Sequence, residues 1–203
     1  YSESQVEVWP RPVAKLNTAA PFCEKNAITF NSTGSVANAT GIAAWQWNFG
    51  DGTPVVTTSN SNPVNHTYAV YGNYTAQLTV TNNRGCNSLP EPLQVKINPL
   101  PKVDFQLPKI CLPDGRGQFT DRSTIADNTQ TGFSYRWNFG NTFASPAGSD
   151  TSSAQNPVYK YSNLGPYNVK LIVTSGNNCI DSITQQLVNV FPQPKARFKS
   201  SVD

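Results

Sequence analysis

Cysteine is the reactive residue type whose spacing is most informative in this 203-residue chain. Cys23, Cys86, Cys111 and Cys179 allow three pairings, and disulfides between any of them would form in an oxidising compartment. Zinc is a weaker interpretation, because the four cysteines lack close ligand spacing and His66 is the only histidine. The cysteines therefore favour a disulfide-bonded, exported protein, with buried thiols in a cytosolic protein as the alternative.

Acid, base and nucleophile chemistry has little support in the residue types. Any Ser-His-Asp or Cys-His arrangement would have to use His66, which lies in a predicted strand. The 12 carboxylates include no close pair of the kind that glycosidases use. Asp51 could give one oxygen to calcium, but calcium takes about six to eight oxygens, several of them from carboxylates. We therefore predict no catalytic residue, metal or cofactor, and we expect Asp51 to cap the turn between Gly50 and Gly52.

The composition excludes other classes of partner. Only 13% of the residues are charged, the net charge is +3, and the 15 lysines and arginines are scattered singly, so a phosphate backbone would meet no basic patch. No apolar stretch approaches the roughly 20 residues that a membrane-spanning helix needs. We expect a soluble part of a longer chain that neither binds nucleic acid nor spans a membrane.

The segments that hold these residues occur twice. The sequence Trp-Asn-Phe-Gly at 47–50 returns at 137–140, 90 residues later, and the alternating segment 71–80 returns at 164–173. A repeat of about 90 residues predicts two small domains. The predicted boundaries are 12–99 for domain 1 and 100–192 for domain 2, with the last strand of a preceding unit in 1–11 and the start of a following unit in 193–203.

The cysteines keep step with this repeat, since Cys23 corresponds to Cys111 and Cys86 to Cys179. A unit that folds independently cannot rely on its neighbour for a covalent bond. Of the three pairings we therefore favour Cys23 with Cys86 and Cys111 with Cys179. The bridges would close loops of 63 and 68 residues, and each would contribute roughly 4 kcal/mol through the chain entropy of the unfolded state.

Apolar and polar residues alternate within each repeat. This period of two predicts half-buried antiparallel strands, and no window has a helical period of useful length. About seven strands per repeat, separated by turn residues, predict an all-β protein made of two tandem immunoglobulin-like β-sandwiches. The predicted structural core consists of Trp47, Phe49, Tyr74, Leu78, Val80, Trp137, Phe139, Tyr167, Leu171 and Val173.

Four short motifs of the first repeat resemble a known domain family. They are Trp-Asn-Phe-Gly-Asp-Gly at 47–52, His-Thr-Tyr at 66–68, Gly-Asn-Tyr at 72–74 and Leu-Thr-Val-Thr-Asn at 78–82. This series resembles the PKD (polycystic kidney disease) domain, whose pattern reads W-D-F-G-D-G, then H-x-Y, then G-x-Y-x-V-x-L-x-V-x-N. The resemblance covers nearly the whole chain as two copies, and it implies the sandwich fold independently of the strand pattern.

Both copies depart from the family pattern. The first has Asn48 in place of the family aspartate. In the second, Asn141 and Thr142 replace the Asp-Gly pair, and Lys160 is placed where the first copy has His66. Any function of the Gly-Asp-Gly turn is therefore expected in the first unit only.

The cysteine placement is similar to PKD repeats of very large secreted Bacteroidetes proteins, including adhesins of gliding bacteria that the type IX system exports. This resemblance implies a non-catalytic, extracellular repeat segment that acts as a structural stalk or an adhesive module. Asp181-Ser182-Ile183 fits the O-glycosylation motif of such bacteria, so Ser182 is a predicted glycosylation site.

The resemblance also implies the partners of the segment. They are neighbouring PKD units of the same chain, with a surface polysaccharide or a surface protein as further partners of an otherwise monomeric module. Two alternative functions stay open: an accessory carbohydrate- or protein-binding module of a secreted hydrolase, and a docking segment of a type IX secretion assembly.

Overall fold

The computed structural model describes residues 7–20, 22–38, 40–144, 146 and 148–194. The chain forms two compact units, Tyr1–Pro99 and Leu100–Asp203, each with its own hydrophobic core. Over the described residues the regular structure is β except for one 3₁₀ turn at Gln130–Gly132. No helix in this part of the chain is long and apolar enough to cross a membrane. The predicted fold class, two tandem all-β units, is confirmed.

The first unit is a sandwich of two antiparallel sheets. One sheet has three strands and the other has four. The strands are β1 (Asn17–Thr18), β2 (Ala27–Asn31), β3 (Ile42–Asn48), β4 (Val56–Thr58), β5 (Val64–Thr67), β6 (Gly72–Asn82) and β7 (Glu91–Ile97). The order is β1-β2-β5 in the smaller sheet and β4-β3-β6-β7 in the larger one.

The second unit repeats the larger sheet and divides the smaller one into short pairs. Its strands are β8 (Phe105–Gln106), β9 (Ile110–Cys111), β10 (Arg116–Gln118), β11 (Thr120–Asp121), β12 (Ser134–Asn138), β13 (Thr151–Ser152), β14 (Val158–Lys160), β15 (Tyr167–Thr174), β16 (Ile180–Leu187) and β17 (Val190–Phe191). The four-stranded sheet has the order β13-β12-β15-β16. The pairs are β8 with β11, β10 with β14, and β9 with β17. The first two pairs are antiparallel, and the pair of β9 with β17 is parallel.

Strand β6 illustrates how the alternating sequence makes this architecture. Ala76, Leu78 and Val80 are buried, whereas the residues between them are only partly buried. Because successive side chains of a strand point to opposite faces, one face of β6 enters the core and the other covers the outside of the sheet. The same alternation fixes β15 in the second unit.

The predicted core residues lie in the two cores. Trp47 and Trp137 are 1% and 0% exposed and lie on β3 and β12, the inner strands next to β6 and β15. Of the ten predicted residues nine are buried, and Tyr74 is half-buried against the first core. The first core also contains Trp45, which is 7% exposed, whereas Trp137 is the tryptophan of the second core.

The cysteines of the first unit lie at opposite ends of the sandwich. The backbone of Cys23 forms an isolated parallel β-bridge with that of Asn98. This β-bridge is next to the end of the sheet at which Gly72 of β6 pairs with β7. Cys86 follows the other end of β6, beyond Asn82. A strand of 11 residues spans about 33 Å, whereas bridged cysteines have Cα atoms about 4.4 to 6.8 Å apart. The predicted bridge between Cys23 and Cys86 is therefore wrong.

The second unit has the same arrangement. Cys111 pairs in parallel with Phe191, which follows β16 at the end where β15 begins. Cys179 lies in the turn after β15, at the other end of an eight-residue strand, about 23 Å away. Cys86 and Cys111 carry free thiols, and Cys23 and Cys179 are disulfide-bonded. The predicted Cys111–Cys179 bridge is thus also wrong, although the correspondence between the cysteines of the two repeats holds.

The partial units predicted at the chain ends stay predictions. Residues 1–6 and 195–203 lie outside the described residues, and residues 7–11 are described but belong to no strand.

Candidate functional site

A tight turn after β3 holds the polar side chains that the sequence singled out. The Asn48 side-chain oxygen accepts a hydrogen bond from the Gly50 N–H at 2.9 Å. Gly50 has φ +76°, and a Cβ at this position would lie 2.4 Å from the Thr75 carbonyl oxygen. Only glycine fits a left-handed conformation at such a close approach. The sequence Asn-Phe-Gly therefore fixes the path of the chain into the turn.

Asp51 and His66 form an ion-pair geometry at the centre of this turn. Asp51 Oδ1 accepts hydrogen bonds from the Thr53 N–H at 3.2 Å and from the Thr53 hydroxyl at 2.6 Å. Asp51 Oδ2 lies 2.7 Å from His66 Nε2, and the imidazole stacks on the Phe49 ring with a centroid distance of 3.9 Å. The two side chains are only 10% and 12% exposed. Burial raises the pKa of Asp51, but the hydrogen bonds from Thr53 and His66 outweigh it and hold that pKa below its ordinary value of 3.8.

Two tyrosines close the turn from the core side. The buried Tyr68 hydroxyl donates to the Phe49 carbonyl at 3.0 Å. The Tyr74 hydroxyl donates to the Val70 carbonyl at 2.8 Å, and the two tyrosine rings lie 4.5 Å apart. Burial, reinforced by the nearby Asp51 carboxylate, raises the pKa of Tyr68 well above its ordinary range. Tyr68 is therefore a neutral hydrogen-bond donor at every physiological pH.

The second unit builds the same turn with uncharged partners. Asn138 accepts from the Gly140 N–H at 2.8 Å, and Gly140 has φ +67°. The Asn141 side chain accepts from the Phe143 N–H at 3.1 Å and donates through Nδ2 to the Tyr159 hydroxyl at 3.0 Å. Tyr159 stacks on Phe139 with a centroid distance of 4.2 Å, as the imidazole stacks on its phenylalanine in the first unit.

Tyr159, and not Lys160, occupies the place of His66. The Tyr161 hydroxyl donates to the Phe139 carbonyl at 2.8 Å, which makes Tyr161 the counterpart of Tyr68. Counting back two residues from each tyrosine aligns Tyr159 with His66, so the expected match with Lys160 is wrong by one residue. A shift of one residue in a strand turns a side chain to the opposite face, and Lys160 is indeed exposed. The Asp–His pair has therefore become an Asn–Tyr pair.

The chemistry that this cluster can perform is limited. Asp51 Oδ1 accepts hydrogen bonds from Thr53 within the turn, and Asp51 Oδ2 lies against Nε2 of His66 on β5. Among the described residues, no group of three or more histidine, cysteine, aspartate or glutamate side chains could hold a metal ion. Asp51 thus has the turn-capping contacts that we expected of it, and its oxygens are occupied by donors of the protein.

A second surface was not singled out by the sequence. On the outer face of the four-stranded sheet of the second unit, Arg136, Lys170, Ile172 and Thr184 line a shallow concavity. The strand register places Gln46 and Gln77 at the equivalent positions of the first unit, which therefore lacks these two charges. Ser182, the predicted glycosylation site, is exposed on β16. The only sequence signal for this face is the replacement of two glutamines by an arginine and a lysine.

Comparison with known proteins gives one family. The PKD domain family matches residues 9–97 and again residues 98–190. The collagenase ColA of Bacillus cereus is 34% identical over 84 residues, which are 41% of this chain and 8% of the collagenase. The chain thus spans less than a tenth of that relative.

Two solved structures are also similar to one unit of the chain. The PKD1 domain of the Vibrio cholerae metalloprotease PrtV is 23% identical with a TM-score of 0.37, over 43% of this chain and 98% of that domain. The PKD1 domain of Vibrio anguillarum Epp is 22% identical with a TM-score of 0.36, over 44% of this chain and 99% of that domain.

Proposed function

Because the chain belongs to the PKD domain family, of which it contains two tandem copies, we propose that it is a non-catalytic repeat segment of a bacterial cell-surface or secreted protein. In this proposal the segment acts as a structural stalk that presents adhesive surfaces. The observation that carries it is the way in which the two ends of each unit are joined: an early segment of the unit pairs in parallel with the end of the last strand.

In the first unit this parallel pairing consists of three hydrogen bonds around Asn98. The Asn98 N–H donates to the Phe22 carbonyl at 2.8 Å, and the Glu24 N–H donates to the Asn98 carbonyl at 3.0 Å. The Asn98 side chain adds a third bond to the Phe22 carbonyl at 3.0 Å. The second unit has two bonds at the same place: Ile110 N–H to the Asn189 carbonyl and Leu112 N–H to the Phe191 carbonyl, both at 2.9 Å.

The direction of this pairing suits a protein under tension. When the two ends of a unit are pulled apart, parallel neighbours are displaced along their common axis. The hydrogen bonds between them are then loaded together, whereas an antiparallel hairpin opens one bond at a time. The compact side-chain core and the long β6–β7 ladder, seven residue pairs, support the same role.

Single-molecule force spectroscopy tests the stalk. The chain is stretched from its two ends with a reductant present, because an intact disulfide bond would limit extension. We expect two separate unfolding events, each releasing about 30 nm for a unit of about 90 residues. Asn98→Pro removes two of the three bonds of the first unit and should lower one of the two unfolding forces.

Ser61→Pro in the exposed loop between β4 and β5 is the matched control, and it should leave both forces unchanged. An Asn98→Pro chain that remains folded and unfolds at both wild-type forces would contradict the mechanical role of the parallel pairing. A single cooperative event for the whole chain would contradict the stalk of independent units.

A second candidate function is an accessory binding module of a secreted hydrolase. The match to part of a collagenase favours it, and the concave face with Arg136 and Lys170 gives a surface for binding. In this proposal the ligand is an anionic polysaccharide or an acidic protein. Retention of the chain on an insoluble acidic polysaccharide or on an immobilised acidic protein tests it, with Arg136→Gln/Lys170→Gln as the variant that copies the first unit at these two positions. Equal retention of both chains, or none, would exclude this face.

The location and source of the parent protein are part of the proposal. The disulfide-bonded cysteines and the PKD family support an extracellular location. A surface protein of a gliding Bacteroidetes species, exported by the type IX system and glycosylated at Ser182, stays a prediction. Sequencing the gene on both sides of the segment tests the export route, and intact mass of the native protein tests the glycan.

A further inference from the structure

We propose that Cys86 and Cys111 are sites of disulfide bonding between PKD units, and that each pairs with a cysteine at the opposite end of another unit. Two ends are distinguished in each unit. The carboxyl end is where the last strand finishes and holds Cys23 or Cys111. The turn end is where β6 or β15 finishes and holds Cys86 or Cys179. This inference does not depend on the mechanical role proposed above.

The two turn-end cysteines have the same local structure. The Asn82 N–H donates to the Cys86 carbonyl at 3.0 Å, and the Cys86 N–H donates to the Asn82 side chain at 2.9 Å. In the second unit the Ser175 N–H donates to the Cys179 carbonyl at 2.8 Å, and the Cys179 N–H donates to the Ser175 hydroxyl at 3.2 Å. Cys179 is disulfide-bonded, whereas Cys86 is a free thiol.

The two carboxyl-end cysteines also correspond. The backbones of Cys23 and Cys111 each pair in parallel with the end of the last strand of their unit. The carbonyl of each accepts a backbone hydrogen bond from the following turn, from Asn26 in the first unit and from Gly115 in the second. Cys23 is disulfide-bonded, whereas Cys111 is free and exposed.

These equivalences show what the free thiols lack. Of the two bonded cysteines, Cys23 lies at a carboxyl end and Cys179 at a turn end. Of the two free cysteines, Cys111 lies at a carboxyl end and Cys86 at a turn end. Each free cysteine thus has a counterpart in the other repeat that forms a disulfide from the same backbone setting. Since the two cysteines of one unit are a strand length apart, the partner of Cys86 or Cys111 has to belong to another unit. Cys111 is exposed and Cys86 is partly exposed, so both can be reached.

The bond needs an oxidant, for which we propose a small-molecule or protein disulfide. A thiolate of one unit attacks that disulfide and releases one thiolate of the oxidant. The thiolate of the second unit then attacks the protein sulfur of the mixed disulfide and releases the other thiolate of the oxidant. One S–S bond forms between the units and one S–S bond of the oxidant is lost. The two thiols give up two protons and two electrons, and the oxidant leaves as two thiols. Repetition at both ends would make a covalent head-to-tail array.

Mixing two variants, each with one of the two free cysteines replaced, tests the pairing rule. Cys86→Ser keeps only the carboxyl-end thiol free, and Cys111→Ser keeps only the turn-end thiol free. In a glutathione redox buffer the unaltered chain should form a ladder of disulfide-linked multimers on non-reducing electrophoresis. Each variant alone should stay monomeric, and the mixture should give heterodimers in about tenfold excess over either homodimer, which corresponds to a docking preference of about 1.4 kcal/mol.

Thermal unfolding of both variants, compared with the unaltered chain, shows that they are folded. Homodimers as abundant as heterodimers would overturn the pairing of opposite ends, and a wild-type chain that remains monomeric with two titratable thiols would overturn the site itself. Peptide mapping of a longer segment with a flanking PKD unit distinguishes the two sources of the partner. A linkage within one chain indicates the neighbouring unit, and a linkage between chains indicates a second copy.

Discussion

The turns after β3 and β12 have the same geometry and different chemistry. Both place an asparagine against a left-handed glycine, stack a ring on a phenylalanine and close with a buried tyrosine hydroxyl. The first unit joins the stacked ring to the turn through a carboxylate and an imidazole, and the second does so through an amide and a phenol. The fold thus requires a hydrogen bond at this place and not a charge. Only the first unit carries an acid-sensitive contact there.

The largest loss of stability is expected from replacing the left-handed glycine that both turns share. Gly50→Ala and Gly140→Ala place a methyl group within 2.4 and 2.3 Å of a carbonyl oxygen of the next strand. Strain at positive φ and this collision should together lower the stability of the altered unit by about 3 kcal/mol. The losses should be equal in the two units. Urea unfolding followed by peptide-resolved hydrogen exchange measures each unit separately.

Gly52→Ala and Gly148→Ala are matched controls for this experiment. Both glycines have φ +84°, but a Cβ at either position would meet nothing within 4 Å. They should lose about 1 kcal/mol, from backbone strain alone. If the turn glycines cost no more than these controls, the close approach to the neighbouring strand is unimportant and the two turns are less alike than their geometry indicates.

The same residues show which parts of the structure can be predicted from the sequence. Strands β6 and β15, the two tryptophans and the paired repeats were predicted correctly, because alternation and composition are local properties of the sequence. The partner of Asn141 was missed because Tyr159 and Lys160 are neighbours, and sequence alone gave no independent fixed point for the register of β14. The cysteine pairing was missed because a repeat indicates which residues are equivalent, but not at which end of the sandwich they lie.

A smaller effect is expected where the turns differ. Asp51→Asn should lower the stability of the first unit by about 1 to 2 kcal/mol at neutral pH, since the charged acceptor of His66 and Thr53 is lost. The pKa of Asp51 is lower in the folded protein than its ordinary 3.8. Its contribution is therefore complete above that value and disappears as the pH falls below 3.8 toward the lowered pKa. Denaturant titrations of both chains between neutral and acidic pH measure this difference.

Asp127→Asn provides the comparison for that titration. Asp127 accepts hydrogen bonds from the Thr129 N–H and hydroxyl, at 3.3 and 2.7 Å, as Asp51 does from Thr53. Its threonine contact lies on an exposed loop, whereas the one histidine of the chain bonds to Asp51. The variant should change stability by less than about 0.5 kcal/mol. If the stability loss of the Asp51→Asn chain is the same in acid as at neutral pH, the carboxylate contributes through its shape and not through its charge.

The smallest change in stability is expected for a double variant that gives the first turn the partners of the second turn. The double substitution Asp51→Asn/His66→Tyr transfers the amide and phenol of the second unit into the first. The introduced amide could then donate to the hydroxyl of the new ring, as Asn141 does to Tyr159 at 3.0 Å, while the ring keeps its place over Phe49. The double variant should recover to within about 0.5 kcal/mol of the wild type and lose the acid sensitivity, whereas each single variant stays destabilised. A double-mutant cycle would then report a favourable coupling of at least about 1 kcal/mol. Additive losses would mean that the surroundings of each turn, and not the pair itself, decide which partners fit.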